Sequence, residues 1–172
     1  MSKSKNTRRV NAVLCGPLCF TKFCNRFKNE ADAGEWIKQK IENINSSKYV
    51  TANWIPGAFG EEKEKLFKEA HVFVFPSEYP VEAQPIVLIE AMSAGCALIT
   101  SSAGEIKEEV KGSEAIIVEK VTVENIYREI VNLIQDDEKR LLMSRSSIIR
   151  ASEFGLDVYH EKWGQIFSFI SS

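Results

Sequence analysis

Two carboxylates separated by seven residues, Glu82 and Glu90, stand in a setting unlike that of ordinary surface acids. Ahead of them the apolar run Val72-Phe73-Val74-Phe75 ends in Pro76-Ser77. Glu82 follows in a turn, and Pro85 opens a short apolar helix that contains Glu90 and is closed by Gly95. Proline in the first helical turn and glycine just past the end are the usual asymmetry. Ile86, Val87, Leu88, Ile89, Ala91, Met92 and Ala94 cover nearly every side of that helix, so it is expected to be buried. A glutamate in such a helix needs a partner. Carboxylates accept hydrogen bonds from hydroxyls, and helix starts attract anions through free amides and the positive end of the dipole. A strand, an acid-bearing loop, a helix start and a second acid can therefore hold a phosphorylated sugar. The phosphates would meet the amides near Gln84 to Val87, and the acids would take the hydroxyls. The competing reading of the same spacing is a solvated turn acid and a helical Glu paired with Lys or Arg.

The elements that must position these groups alternate between strand and helix. Val10 to Cys15 reads as a strand and Glu30 to Ile44 as a helix, with Trp36, Ile37, Ile41 and Ile44 on one side. Tyr49 to Ile55 is a strand broken by Pro56-Gly57. Glu61 to Ala70 is a charged amphipathic helix, and Ala115 to Val118 a short strand. Val123 to Ile134 is a helix with Ile126, Ile130, Val131 and Ile134 facing in. Another helix begins at Asp136-Asp137 and carries Leu141, Leu142, Ile148 and Ile149. Gly155 separates the last, which carries Tyr159, Trp163, Ile166 and Phe167. This alternation predicts an α/β fold: a Rossmann-like sheet of mainly parallel strands flanked by helices. Residues 10–172 are read as one domain preceded by a disordered basic tail, residues 1–9. Ligands of such sheets bind beyond the carboxyl ends of the strands. Ser77, Glu82 and Gly104 each follow a strand and so share that edge.

The segment from about Val50 to Glu119 resembles the donor-binding half of retaining GT-B glycosyltransferases of group 1. Their Glu-x7-Glu motif is matched by Glu82 and Glu90, with Pro76-Ser77 before it and Ala91-Met92 and Gly95 after it. Cys96-Ala-Leu-Ile-Thr100 resembles the family's next strand, and Gly104-Glu-Ile-Lys-Glu108 its Gly-x-Ile-x-Glu turn. Gly60 to Lys63, Leu66-Phe67 and Ala70 resemble the helix before the Pro-Ser strand. Ordered motifs over this length are far more specific than one pair of acids. The resemblance implies one half of a GT-B fold, a nucleotide-diphosphate sugar as donor, and hexose transfer with retention to a glycan or lipid-linked acceptor in surface polysaccharide biosynthesis. Glu90 would bind the ribose hydroxyls and Glu82, the catalytic candidate, the sugar. Ser77, Ala83, Gln84, Pro85, Ile86 and Gly104 would line the donor site. No metal and no separate cofactor are implied, so amides, helix dipoles and basic groups must stabilise the departing diphosphate.

Two departures from the family pattern stand out. Ala83-Gln84-Pro85 occupies the place of a common Gly-Phe-Gly, and Pro85 removes one amide donor. The family's donor domain opens with a strand, a Gly-Arg loop and a Lys that grip the diphosphate. Gly16 and Lys22 fall near that spacing, but Pro17 stands where Arg is expected. Only one helical stretch follows before Tyr49, so Val10 to Cys15 is read as the domain's second strand. An acceptor domain from a longer chain or a partner is then required for catalysis. Two other readings remain open: a truncated or degenerate non-catalytic fragment, and a nucleotide-sugar epimerase-like protein, which would need further acids and histidines.

A length of 172 residues, 44% hydrophobic and 27% charged, suits a globular protein with a sizeable core. A formal charge of −2 gives no reason to expect nucleic acid. No apolar run reaches the length of a membrane span, and the expected location is cytoplasmic, with the basic tail able to touch the inner face of the membrane. Cys15, Cys19 and Cys24 lack the spacing of a zinc pair and read as buried thiols of a reducing compartment. His71 reads as structural and Lys107 as a surface residue.

Overall fold

The computed structural model describes residues 8–18 and 26–170. The chain divides into two compact units, residues 1–63 and 64–172.

In the first unit, β1 (Val10–Cys15) pairs in parallel with β2 (Val50–Ile55), Val10 opposite Val50 and Cys15 opposite Ile55. The crossover between them contains α1 (Glu30–Asn45). Asn29 caps α1 by accepting the Asp32 amide at 2.9 Å, which satisfies one of the orphan donors of the first turn. Asn45, at the other end, brackets β2: its Oδ1 accepts the Ala52 amide at 2.6 Å and its Nδ2 donates to the Ala52 carbonyl at 3.0 Å. Trp54 donates from Nε1 to the Gly16 carbonyl at 3.1 Å, and so ties the exit of β1 to β2.

The second unit holds a three-stranded parallel sheet in the order β3 (Val72–Phe75), β4 (Ala97–Ser101), β5 (Ile116–Val118). It begins within α2 (Gly60–Glu69). α2 has no fully buried residue, consistent with its charged sequence. All five residues of β4 are buried, as expected for a central parallel strand covered on both faces. Its alternating side chains feed two cores. Leu98 packs with Leu88, Ala91 and Met92 of α3 (Ile86–Ser93) and with Ile106 of α4 (Ile106–Glu109). Ala97 and Ile99 pack with Val118, with Leu133 of α5 (Val123–Gln135) and with Met143 of α6 (Asp137–Ser152). Burial of a side chain such as Leu88 or Leu98 contributes about 2 kcal/mol.

One expectation about side-chain direction needs correction. α3 is not buried all round: Leu88, Ala91 and Met92 form its inward stripe, while Ile86 is 66% exposed. Ile86 lies two residues, about 200°, from Leu88 around the helix, so both cannot face the sheet. In α6 the inward stripe is Met143, Ser147 and Ala151, which leaves Leu141, Leu142, Ile148 and Ile149 exposed. Ser147 is drawn inward because its hydroxyl donates to the Cys96 carbonyl at 2.9 Å, at the entry to β4. The last helix, α7 (Leu156–Ile170), carries Tyr159, Trp163 and Phe167 as an exposed ladder with centroid spacings of 6.0 and 5.5 Å. Among the described residues, no helix is long and apolar enough to cross a membrane.

Candidate functional site

The parallel pairing of β3 with β4 brings the loops that follow them to one edge of the sheet. Thr100 and Ser101, at the end of β4, reach across that edge. Thr100 Oγ1 donates to the Phe75 carbonyl at 2.8 Å, and Ser101 Oγ donates to the Ser77 carbonyl. These bonds fix the start of the loop, residues 76–85, that carries the first acid of the motif. Within the loop, Ser77 Oγ donates to Glu82 Oε2 at 3.0 Å and accepts the Tyr79 amide at 3.2 Å. The Glu82 amide donates to the Tyr79 carbonyl at 3.2 Å, and the Glu82 carbonyl accepts the Glu105 amide at 2.8 Å. Glu82 is thus held at its carboxylate and at both of its backbone groups.

Gly104 lies against this residue. Its φ is +51°, and a Cβ built on it would stand 2.0 Å from the Glu82 carbonyl oxygen. Only a residue without a side chain allows that approach in the left-handed region. The predicted neighbourhood of Ser77, Glu82 and Gly104 is therefore present, through direct contacts.

The remaining candidates lie along the loop and α3. Ala83 and Gln84 are exposed, Pro85 is buried, and Pro85 is the residue before the first helical position. Its carbonyl accepts the Leu88 amide at 2.7 Å, and no side chain caps the helix. Glu90 is half-buried in α3. Lys22 falls outside the described residues. Lys107 forms an ion pair with Glu119 at 2.8 Å, and the resulting hydrogen bond, with another from Ser102, holds the Glu119 carboxyl below its ordinary range. His71 is exposed. Among the described residues, no group of three or more His, Cys, Asp or Glu is arranged to hold a metal ion.

One acid beside the site was not singled out by the motif. Glu109, the last residue of α4, is 5% exposed, and neither of its carboxylate oxygens accepts a hydrogen bond among the described residues. Burial pushes its carboxyl up to about 7, the charge of Glu82 pushes in the same direction, and Arg150 opposes both. Arg150 directs its hydrogen bonds elsewhere. Its Nε donates to the Glu109 carbonyl at 2.9 Å, its Nη2 to the Glu108 carbonyl at 2.7 Å, and its Nη1 to the Glu153 carboxylate. It caps the end of α4 and leaves the Glu109 carboxyl unbonded. The sequence did carry a signal for this. Glu109 lies three residues after Ile106, so a helix over this turn places it on the same apolar side.

The sequence profile of the family described as glycosyl transferases group 1 matches residues 1–149. The chain belongs to that family. No curated protein sequence matches it. Solved structures of GT-B glycosyltransferases share its fold. Anabaena HepE in complex with UDP superposes with a TM-score of 0.70 at 16% identity, over 94% of this chain and 49% of that one. Sucrose-phosphate synthase from Thermosynechococcus elongatus gives 0.64 at 20% identity, over 94% of this chain and 39% of that one. The C-terminal domain of the group 1 glycosyltransferase LpcC from Francisella tularensis gives 0.59 at 20% identity, over 73% and 64%. The chain thus spans less than half the length of the first two. Its α/β architecture, parallel strands flanked by helices, agrees with the GT-B expectation.

Proposed function

We propose that this chain is the donor-binding domain of a glycosyltransferase that takes a hexose from a nucleotide-diphosphate sugar and transfers it with retention to a glycan or lipid-linked acceptor in surface polysaccharide synthesis. The observation that carries the reading is the fixation of Glu82 at the carboxyl edge of the sheet. Ser77 holds one carboxylate oxygen, and the turn at Gly104 and Glu105 holds the backbone. An acid fixed in this way meets a sugar hydroxyl without first being ordered, which lowers the entropic cost of binding. In this reading Glu82 addresses the sugar and Glu90 the ribose. The first-turn amides of α3 and the backbone of Ala83 to Ile86 take the sugar and diphosphate, since amides of a helix start favour negative charge. Gly104 completes the donor site, with no metal and no separate cofactor. The acceptor comes to a second domain, in a longer chain or a partner. Membership of the family supports the transfer chemistry, and HepE structures described with UDP and with UDP-glucose support the donor class.

Calorimetric titration with UDP, GDP and ADP and their common sugar conjugates tests this. Saturable binding of one nucleotide series, weakened about tenfold or more in Glu90→Gln, is the expected result, because a hydrogen bond to a charged group is worth about 1.5–3 kcal/mol. A chain shown to be folded that binds none of them would be a non-catalytic fragment of the family.

A further inference from the structure

Glu109 has no place in the donor site described above, yet its setting demands an account. A buried carboxyl without a hydrogen-bond partner destabilises the fold, and an ionised one far more so. Its neighbours on the same turn, Ile106 and Val110, belong to the buried apolar cluster that also holds Ala151 of α6. Two charged groups bear on it from other elements, Glu82 from the loop after β3 and Arg150 from α6. Arg150 is engaged with two carbonyls and with Glu153 rather than with the Glu109 carboxylate. The same short turn ties the two acids mechanically. The Glu105 amide holds the Glu82 carbonyl at 2.8 Å, and the Glu105 carbonyl accepts the Glu109 amide at 3.1 Å. One peptide segment therefore reports to both.

We propose that Glu109 is a positioning residue for Glu82: a buried carboxyl kept protonated, so that Glu82 bears the single negative charge of this corner and remains seated on Ser77. A buried carboxyl resists ionisation, and a second acid nearby adds to that resistance. When Glu109 loses its proton to solvent, the corner gains a second anion. Relief comes by displacing the Glu82 loop, which removes the arrangement that would meet the sugar. The anionic diphosphate of a donor adds to the repulsion. This consequence for binding rests on the donor-site reading, whereas the coupling between the two acids does not.

The carboxyl raised to about 7 sets the window. If only the form protonated at Glu109 is competent, the competent fraction drops from about 0.9 at pH 6 to about 0.1 at pH 8. Apparent affinity then weakens by up to about tenfold. The first measurement needs no ligand: carbon-13 NMR titration of the glutamate carboxyls in the full chain. The expected result is one carboxyl titrating near 7, absent in Glu109→Gln and moved toward the ordinary range in Glu82→Gln. A Glu109 midpoint in the ordinary carboxylate range, or one that Glu82→Gln leaves unmoved, overturns the proposal. The second measurement is UDP-glucose affinity at pH 6 and pH 8, because its diphosphate does not titrate there. The wild type is expected to weaken by up to about tenfold and Glu109→Gln to stay level at the low-pH affinity. Binding by the wild type that is flat with pH overturns the proposal and leaves the donor reading intact. Absence of UDP-glucose binding at both values counts against the donor reading, and the carboxyl titration then decides the pairing by itself.

Discussion

Replacing Gly104 with alanine tests whether the turn after β4 sets the position of Glu82. An alanine Cβ on the observed backbone would lie 2.0 Å from the Glu82 carbonyl oxygen and 2.8 Å from the carbonyl carbon and the amide nitrogen. Real Cβ atoms do not approach within 3.0 Å, so the two segments must part by about 1 Å. The obstructing atoms are backbone, and no rotamer change relieves them. Alanine at φ +51° costs about 1–2 kcal/mol by itself. Parting the segments also stretches the Glu105–Glu82 bond from 2.8 Å to beyond hydrogen-bonding length, at about 1 kcal/mol. The expected loss is about 2–3 kcal/mol in urea denaturation. Gly112→Ala is the control: Gly112 has φ +85° and nothing within 4 Å of a Cβ, so it carries only the conformational share. Gly104→Ala should exceed it by about 1 kcal/mol. The second readout is nucleotide-sugar affinity, which should weaken about tenfold or more if the charged hydrogen bond of Glu82 to the ligand is lost. Gly112→Ala should leave that readout unchanged. Equal stability losses in the two variants, with undiminished donor binding in Gly104→Ala, would refute the claim that this contact seats Glu82.

Stability should also depend on pH through Glu109. Its folded carboxyl lies at about 7 against an ordinary 4.5, so the folded state binds the extra proton between those values and stability falls as pH rises through them, then levels off above 7. The shift corresponds to about 3 kcal/mol, and urea denaturation at pH 4 and pH 8 should show Glu109→Gln gaining that much on the wild type; a stability difference constant with pH would exclude the raised carboxyl. Cys96 offers a reactivity test, since burial pushes its thiol up to about 11 while Cys15, against the expectation of a buried thiol, is exposed at the end of β1. Peptide-resolved mass spectrometry after iodoacetamide treatment at pH 8 should find Cys15 alkylated and Cys96 protected until the chain is unfolded, and equal labelling of the two in the folded chain would contradict the packing of β4.

The elements were legible because their boundaries rest on local chemistry. Thr122 caps α5 by accepting the Asn125 amide at 3.2 Å, and Asp136 caps α6 by accepting the Lys139 amide at 2.9 Å, both readable from residue type and position. The meeting of Ser77, Glu82 and Gly104 was legible too, because parallel strands deliver the residues that follow them to one edge. Side-chain direction was less so. The outward turn of Ile86 depends on which stripe α3 gives to the sheet, and its nearly all-round apolar sequence does not specify that stripe; in α6 the apolar residues themselves are left outside. Ser147 illustrates the difficulty: a hydroxyl facing the core is satisfied only by the Cys96 carbonyl, 51 residues away in the chain. Glu109 was obscured in another way. It follows Glu108 in a charged stretch whose composition reads as solvated, and only the three-residue step from Ile106 turns it inward.

The loop that carries Glu82 has no strand partner of its own, so its order must come from elsewhere. Three of the chain's five prolines, Pro76, Pro80 and Pro85, fall within its ten residues. Each restricts φ and lowers the entropy of the unfolded segment, which favours the folded loop by up to about 1 kcal/mol per site where the geometry is compatible. Hydrogen bonds supply the rest: Ser101 on the Ser77 carbonyl, Ser77 on Glu82 and on the Tyr79 amide, and the backbone bonds of Glu82 to Tyr79 and Glu105. Pro85 thereby acquires a second meaning. As a departure from the family's glycine it removes an amide that could meet a phosphate, but it also fixes the chain where the loop enters α3. A flexible glycine loop can close on its ligand and must be ordered in doing so. A proline-bounded loop held by these hydrogen bonds is ordered beforehand, and in the proposed donor site binding then depends less on closure and more on the charge that Glu82 presents. Such a loop cannot take up a second anion at Glu109 by a small adjustment, and in the proposed coupling relief breaks one of the hydrogen bonds that seat Glu82.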